Sequence, residues 1–185
     1  MTKLDLNVIT DKDVKTNLYL FLAGRSAPIE GVSYIPREDM KSAAAIARYV
    51  ADVADYRTVN KSLYRLQDSG HLYKDSVSGD WIIDEKFDKM FVKVDPQKAN
   101  EMCQTWDNES NTLILYIYDK IRYYKGQFIT TQGRLAKEAL GFVDNSQNRK
   151  RVKDRLDDMM ANGRLKWCRI KDLTTYRVKV WDVHL

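Results

Sequence analysis

The sequence of 185 residues matches itself at an offset of 93 residues, and this internal repeat restricts the folds open to the chain. At that offset, hydrophobic residues fall on hydrophobic residues without a gap. The aligned pairs are Ile35 with Phe128, Ala43 with Ala136, Val59 with Val152, Leu63 with Leu156, Leu66 with Met159, Gly70 with Gly163 and Leu72 with Leu165. Amphipathic helices can be aligned by chance, but the shared Gly-x-Leu ending and the aligned β residue upstream are more specific. The pattern therefore predicts two copies of one fold.

The second copy divides into elements by its hydrophobic period. The period predicts a helix with Leu113, Ile114, Ile117 and Ile121, a β run at 127–129, a helix with Leu135, Ala136, Ala139 and Leu140, a third helix and two strands. Thr130 or Thr131 can cap the second helix, and Asp144 or Asn145 the third. The third helix is expected to bury Val152, Leu156, Met159 and Met160 and to end at Asn162-Gly163. The strands, at 165–171 and 176–181, are expected to form a two-stranded wing.

The first copy follows the same order. A helix at 14–23 and a loop at 26–31 lead into a β run at 33–35. Pro36 precedes a second helix, and a third helix ends at Ser69-Gly70. A hairpin then turns about Ser78-Gly79. The loop after the first helix is longer than in the second copy, so this helix departs from the constant offset.

This order of helix, short strand, helix, turn, helix and wing resembles the winged helix-turn-helix domain, over residues 11–92 and 109–185. Within tandem winged-helix proteins, the chain resembles the TraN-type DNA-binding regulators of Gram-positive conjugative plasmids. The resemblance implies an α+β, mainly helical fold with two winged-helix domains in tandem, forming an internal pseudo-dimer. Residues 93–108 are too few for a third domain and are expected to form a connecting helix or tether that packs the copies together.

Charge is distributed unevenly between the two copies. Residues 1–92 carry 13 Lys or Arg and 14 Asp or Glu, whereas residues 93–185 carry 18 and 12. Between positions 149 and 179 there are 11 basic and 4 acidic residues. Such asymmetry points to a polyanionic partner, most often nucleic acid, and a solvated lysine-rich face is the alternative.

The third helix of a helix-turn-helix enters the major groove, and its N-terminal residues contact base edges. In the second copy the resemblance assigns base reading to Gln147, Asn148, Arg149 and Lys150. Arg binds guanine O6 and N7 in a bidentate manner, and Asn or Gln binds adenine in the same way. Phosphate contacts are expected from Ser146, Arg151 and Lys153. A merely solvated helix surface is the alternative.

The first copy offers fewer groups to DNA. Arg57 and Asn60 are candidate base readers, and Lys61 is a candidate phosphate contact. Tyr64 either contacts phosphate or packs on a neighbouring helix. Asp52 and Asp55, near the start of this helix, interact favourably with the helix dipole but repel phosphate. The first copy is therefore expected to bind DNA more weakly on its own.

The wings differ in charge as the third helices do, with the more basic wing in the second copy. Arg169, Lys171, Arg177 and Lys179 recur at period two and are expected to share one basic face on paired strands. Such a face can follow a phosphate backbone or reach the minor groove. The first wing, at 74–80, carries no comparable basic face.

Composition excludes several other classes of protein. Hydrophobic residues make up 44% and charged residues 31% of the chain, as in a soluble domain with a core. No apolar run approaches the roughly 18–20 residues of a membrane span, and the first ten residues lack a secretory pattern, so we expect no membrane partner and a cytoplasmic location. Neither the two cysteines nor the two histidines have metal-ligand spacing, and no phosphate loop or catalytic motif occurs. We expect no enzyme activity, cofactor or metal.

The sequence favours a sequence-specific double-stranded DNA-binding protein, a transcriptional repressor of a plasmid or mobile-element operon. One alternative is a winged-helix adaptor that binds protein. Another is an accessory DNA-binding protein in replication or conjugation. The basic run at 147–151 favours DNA, because charged residues are depleted in buried protein interfaces. Two copies in one chain imitate the two-fold dimer of ordinary repressors, so we expect a monomer with internal pseudo-two-fold symmetry.

Overall fold

The computed structural model describes residues 1–29, 32–84, 91–166, 168–170 and 175–179. The described part is α+β and mainly helical, with small antiparallel sheets, which confirms the predicted class. The chain divides into two compact units, residues 1–111 and 112–185, and the boundary falls inside one helix. Residues 93–108 lie in the first unit. The domain bounds 11–92 and 109–185 stay a prediction.

The first unit begins with elements that precede the repeat. Strand β1 (Thr2–Asp5) pairs antiparallel with β6 (Phe91–Val94), and Asp5 caps the one-turn helix α1 (Leu6–Ile9). The other helices are α2 (Thr16–Arg25), a 3-10 helix (Arg37–Met40), α3 (Ala43–Tyr49), α4 (Tyr56–Asp68), α5 (Pro96–Thr105) and the start of α6 (Asn108–Tyr123). The remaining strands are β2 (Ala27–Ile29), β3 (Val32–Ile35), β4 (Leu72–Lys74) and β5 (Trp81–Ile83), in the antiparallel order β2-β3-β5-β4.

The second unit continues from α6 with every element that the sequence predicts for its copy. These elements are β7 (Gln127–Thr131), α7 (Gln132–Glu138), α8 (Ser146–Ala161), β8 (Cys168–Ile170) and β9 (Thr175–Lys179). The sheet has the order β7-β9-β8, so the strand after the first helix pairs with the last strand. In the first unit β3, β5 and β4 have this same order. The two units therefore share a topology as well as a sequence pattern.

The aligned residues of the repeat are buried in much the same way. Four pairs are buried in both units: Ile35 with Phe128, Val59 with Val152, Leu66 with Met159 and Leu72 with Leu165. Leu63 and Ala43 are half-buried, although their counterparts Leu156 and Ala136 are fully buried. The offset of 93 residues thus aligns the core side of α4 with the core side of α8.

The connecting segment contains a helix, which is one of the two forms expected for it. Asp95 caps α5, and Pro96 occupies its first turn, where a missing N–H costs nothing. Ala99, Met102 and Cys103 of α5 are buried, and α5 packs against α2.

Four elements of the first unit escaped sequence reasoning: β1, α1, β2 and β6. Strand β2 lies in the stretch expected to be a loop, and it becomes a strand because it pairs with the edge of β3. Strands β1 and β6 are four residues each and pair across most of the unit, so neither has a period long enough to recognise. The helix expected after Pro36 is divided into the 3-10 helix and α3. Ser42 caps α3, because its hydroxyl accepts a hydrogen bond from the backbone N–H of Ala45.

Gly70 and Gly163 end α4 and α8 with φ angles of 76° and 69°, in the left-handed region. A Cβ added at either position meets nothing within 4 Å, so a substitution there tests the backbone alone. We expect Gly163→Ala to lower the free energy of unfolding by about 1–2 kcal/mol. Gly163→Asn, the matched control, should cost less because Asn adopts this conformation more readily. Chemical denaturation of both variants measures the difference, and equal costs would contradict the left-handed ending.

Candidate nucleic-acid interface

Helix α8 is fixed at both ends by residues that the sequence identified. The Asn145 side chain accepts a hydrogen bond from the backbone N–H of Asn148 at 2.8 Å, so Asn145 rather than Asp144 is the N-cap. Val152, Leu156 and Met159 are buried, whereas Met160 is only half-buried. These contacts set the rotation of α8 and decide which polar residues face outward.

The outward face of α8 carries polar and basic side chains in its N-terminal half. Exposed residues on this face are Gln147, Lys150, Arg151 and Asp154, and with the half-buried Arg155 they line a shallow surface groove. Ser146, the first residue of the helix, is also exposed. Three of the predicted contacts, Gln147, Lys150 and Arg151, therefore lie side by side.

Charge changes sign along α8. The helix contains five Lys or Arg residues, all between positions 149 and 155, and three Asp residues at 154, 157 and 158. Lys153, a predicted phosphate contact, forms an ion pair with Asp157 at 2.6 Å. Arg151 lies over the Phe142 ring at 5.0 Å, which holds its guanidinium beside the start of the helix. The basic end of α8 is thus its N-terminal half.

Two predicted base readers, Arg149 and Asn148, are engaged by the turn between α7 and α8. Arg149 binds the Asp144 carboxylate with two contacts, Nε to Oδ1 at 2.5 Å and a terminal guanidinium nitrogen to Oδ2 at 3.0 Å. The Asn148 side-chain amide donates to the Val143 carbonyl at 2.8 Å. Hydrogen bonding and charge from Arg149 lower the pKa of the Asp144 carboxyl. Both side chains therefore bind the preceding turn in this structure.

The Asp144 carboxylate also lies against the start of α7. A Cβ added to Gly133 would lie 2.5 Å from both oxygens of the Asp144 carboxylate, which is closer than nonbonded atoms approach a Cβ in proteins. Thr131 caps α7, because its hydroxyl accepts a hydrogen bond from the Arg134 N–H at 3.2 Å. Gly133, Asp144 and Arg149 thus form one cluster that joins α7 to α8.

Helix α4 presents the corresponding face of the first unit. Asp55 caps it by accepting hydrogen bonds from the backbone N–H groups of Arg57 and Thr58. The outward face carries Arg57, Asn60, Lys61 and Tyr64, which are all exposed. The Tyr64 side chain is 72% exposed, which excludes the alternative that it packs on a neighbouring helix of its unit.

Two of the three cations of α4 are paired with an acidic segment that precedes α2. Lys61 binds Asp13 at 2.8 Å, and Arg65 binds Asp11 at 2.9 Å. The hydrogen bond from Lys61 holds the pKa of the Asp13 carboxyl below its ordinary value. The predicted phosphate contact Lys61 therefore binds a carboxylate in this structure.

The β8-β9 hairpin of the second unit differs from the prediction made for the second wing. Strand β8 pairs with β9 so that Cys168 is opposite Arg177 and Arg169 is opposite Tyr176. Directly opposite positions lie on the same face of a sheet, so positions 169 and 177 lie on opposite faces. The prediction that all four basic residues share a face is therefore wrong. Positions 177 and 179 do share one, and Lys171 lies outside the described residues.

The described residues offer little to other kinds of site. They contain no group of three or more His, Cys, Asp or Glu residues that could hold a metal ion. Burial raises the pKa of the Cys103 thiol to about 12, so this thiol is not activated. Among the helices of the described part, none has the length and apolar character of a membrane span.

Sequence reasoning missed the acidic partners of these cations. Asp144 is five residues from Arg149 in a turn, and that separation alone gives no recognisable signal. Asp11 and Asp13 are about 50 residues away from α4 in sequence, so only the fold brings them to Arg65 and Lys61.

The Asp144–Arg149 pair predicts a change in titration. In Arg149→Met, the pKa of Asp144 should rise towards the ordinary value for aspartate, because the donor and its charge are removed. A carboxyl whose pKa is lowered by folding adds stability at neutral pH, and this is lost as pH falls through the lowered pKa. NMR titration of the side-chain carboxyls measures the shift. The pKa of Asp13 should stay low in the same variant. An unchanged pKa of Asp144 would contradict the pairing with Arg149.

Comparisons with known proteins leave the chain without an assigned family. No protein-family model, curated protein or solved structure matches it.

Proposed function

We propose that this protein binds double-stranded DNA in a sequence-specific manner through two winged-helix units. The observation that carries the proposal is the outward face of α8, where Gln147, Lys150 and Arg151 are exposed together at the N-terminal half of the helix. This is the part of a third helix that enters the major groove. Gln is suited to adenine, and Lys to guanine, through the hydrogen-bonding groups of the major groove.

The topology supports the winged-helix assignment. In each unit a helix is followed by a strand, two packed helices and two further strands, and the strand before the packed helices pairs with the last strand. The first unit has strand β2 and a 3-10 helix in addition within this order. In this arrangement α4 and α8 are the third helices. The hairpins β4-β5 and β8-β9 are the wings.

The second unit is the stronger candidate for DNA contact. Residues 93–185 carry the excess of positive charge, and positions 177 and 179 lie on one face of β9. Arg177 and Lys179 on this face are the phosphate contacts that we assign to the wing, and Arg169, on the opposite face of the sheet, is not assigned to this contact. In the first unit, Arg57, Asn60 and Tyr64 remain available on α4, whereas Lys61 and Arg65 are paired with Asp13 and Asp11.

A repressor of a plasmid or mobile-element operon is the role that best combines these features. Two units that differ in their outward residues would read two imperfect half-sites, about 10 bp apart or a multiple of that spacing. One chain would then cover a promoter as a dimeric repressor does. Selection of bound sequences from a random duplex pool tests the proposal directly: a single enriched motif is expected, and retention of duplexes without enrichment would leave a nonspecific binder. No retention at all would favour a protein-binding adaptor.

Two substitutions on α8 distinguish recognition of bases from nonspecific electrostatic attraction to DNA. Gln147→Ala should weaken the selected duplex by about 1–3 kcal/mol and relax the preference at one base pair. Arg151→Ala should weaken all duplexes alike and reduce the slope of log K against log salt by about one unit, because it loses a phosphate contact. Lys98→Ala, on α5, is the control for loss of one positive charge. Equal effects of Gln147→Ala on selected and scrambled duplexes would show that α8 does not read sequence.

The acidic segment of the first unit gives a prediction of the opposite sign. Asp11→Asn combined with Asp13→Asn removes the carboxylates that pair with Arg65 and Lys61. We expect the double variant to bind the selected duplex more tightly, with a salt slope steeper by about two units, because two more cations can neutralise phosphates. Glu101→Gln removes a carboxylate that pairs with Lys98 on α5, and it should leave the slope unchanged. An unchanged slope in the double variant would exclude α4 from the interface.

A further inference from the structure

We infer that Arg149 is a positioning residue, which holds α8 at a fixed angle to α7, and that Gln147 and Lys150 determine sequence specificity. The inference rests on the proposed function, because it divides the residues of the same helix by role. It also revises the expectation that Gln147, Asn148, Arg149 and Lys150 all read bases. Its basis is the cluster of Gly133, Asp144 and Arg149.

The geometry of the Asp144–Arg149 pair favours a structural contact. Both carboxylate oxygens are used, at 2.5 and 3.0 Å, and a bidentate arginine contact restrains orientation as well as distance. The two side chains are 40% and 52% exposed, so the pair itself adds little stability. Its effect is on orientation, because it fixes the first turn of α8 relative to the turn that precedes the helix.

Gly133 connects this pair to α7. The Asp144 carboxylate lies where the Cβ of any other residue would be, so the pair is seated directly on the α7 backbone. An ion pair that merely covered the surface would not need such a close approach. Because α7 and α8 pack against each other, a change in the contact between Asp144 and Gly133 alters the angle between the two helices.

Asn148 reinforces the same turn. Its backbone N–H is capped by Asn145, and its side-chain amide binds the Val143 carbonyl. Helical geometry sends adjacent residues in different directions, at about 100° per residue. Arg149 and Asn148 therefore face the turn, whereas Gln147 and Lys150, on either side of them, are exposed on the outward face.

The two roles predict different patterns of base preference. A reader contacts one base pair, so its loss removes preference at that pair alone. A positioning residue acts through the whole helix, so its loss weakens preference at every base pair that α8 reads. The pattern across positions distinguishes them even when the overall loss of affinity is the same.

The test measures the full-length chain against the selected duplex and a panel of its single-base-pair variants. Arg149→Met, Asp144→Asn and Gly133→Ala should each lower discrimination at all the pairs read by α8 together, by about tenfold in the specific-to-scrambled ratio. Arg149→Lys should retain part of the discrimination, because an ammonium can still pair with Asp144. Combining Arg149→Met with Asp144→Asn should add little to either alone.

Arg134→Met is the matched control. Arg134 pairs with Glu138 at 2.9 Å within the same unit, and it is exposed to a similar degree as Arg149. This variant should keep the pattern of base preference.

The inference is overturned if Arg149→Met removes preference at a single base pair while Asp144→Asn and Gly133→Ala leave the pattern intact. Arg149 would then leave Asp144 to contact a base. If the wild-type chain binds no duplex in a specific manner, the proposed function has failed, and the positioning role on DNA fails with it. In that case, thermal unfolding of Gly133→Ala still tests whether the contact between the Asp144 carboxylate and the α7 backbone holds α7 and α8 together.

Discussion

The buried side of α8 determines which of its polar residues are free to meet a partner. Val152, Leu156 and Met159 are fully buried, and a helix held by such a stripe cannot rotate without exposing it. The N-cap at Asn145 and the left-handed Gly163 fix its two ends. With rotation and ends set, Gln147 and Lys150 face outward and Arg149 faces the turn. The assignment of roles on this helix follows from these constraints.

The two units show how one topology can carry two surfaces. Their strands follow the same order, and most of the aligned core positions are buried in both. Helices α4 and α8 both have acidic partners: Asp13 and Asp11 pair with Lys61 and Arg65 of α4, and Asp144 and Asp157 pair with Arg149 and Lys153 of α8. The difference lies in net charge, because residues 93–185 carry the excess of Lys and Arg, so we assign the first unit the weaker contact with phosphate.

The repeat predicted most of the fold because its signals are local. A glycine that ends a helix, a side chain that caps one and a hydrophobic period over three turns are all readable within a dozen residues. Gly70, Gly163, Thr131 and Asn145 belong to this class. Strands β1 and β6 do not, because they become strands only by pairing with each other.

The candidate site could be predicted in part for the same reason. Helical period and composition identified the polar N-terminal half of α8. The direction of each side chain there depends on a turn contact, the one between Arg149 and Asp144, that sequence reasoning did not anticipate. The prediction of a common basic face on the second hairpin was wrong for a related reason. The register of β8 against β9 places positions 169 and 177 on opposite faces, and a period of two in the sequence cannot reveal register.

The central claim is that α8 reads bases in the major groove, and methylation interference on the selected duplex tests it most directly. Methylation of guanine N7 blocks an acceptor in the major groove, whereas methylation of adenine N3 blocks one in the minor groove. We expect N7 methylation within one half-site to abolish binding of the wild-type chain, and Lys150→Ala to lose this sensitivity at one guanine. Interference confined to adenine N3, or none at either position, would contradict reading by α8.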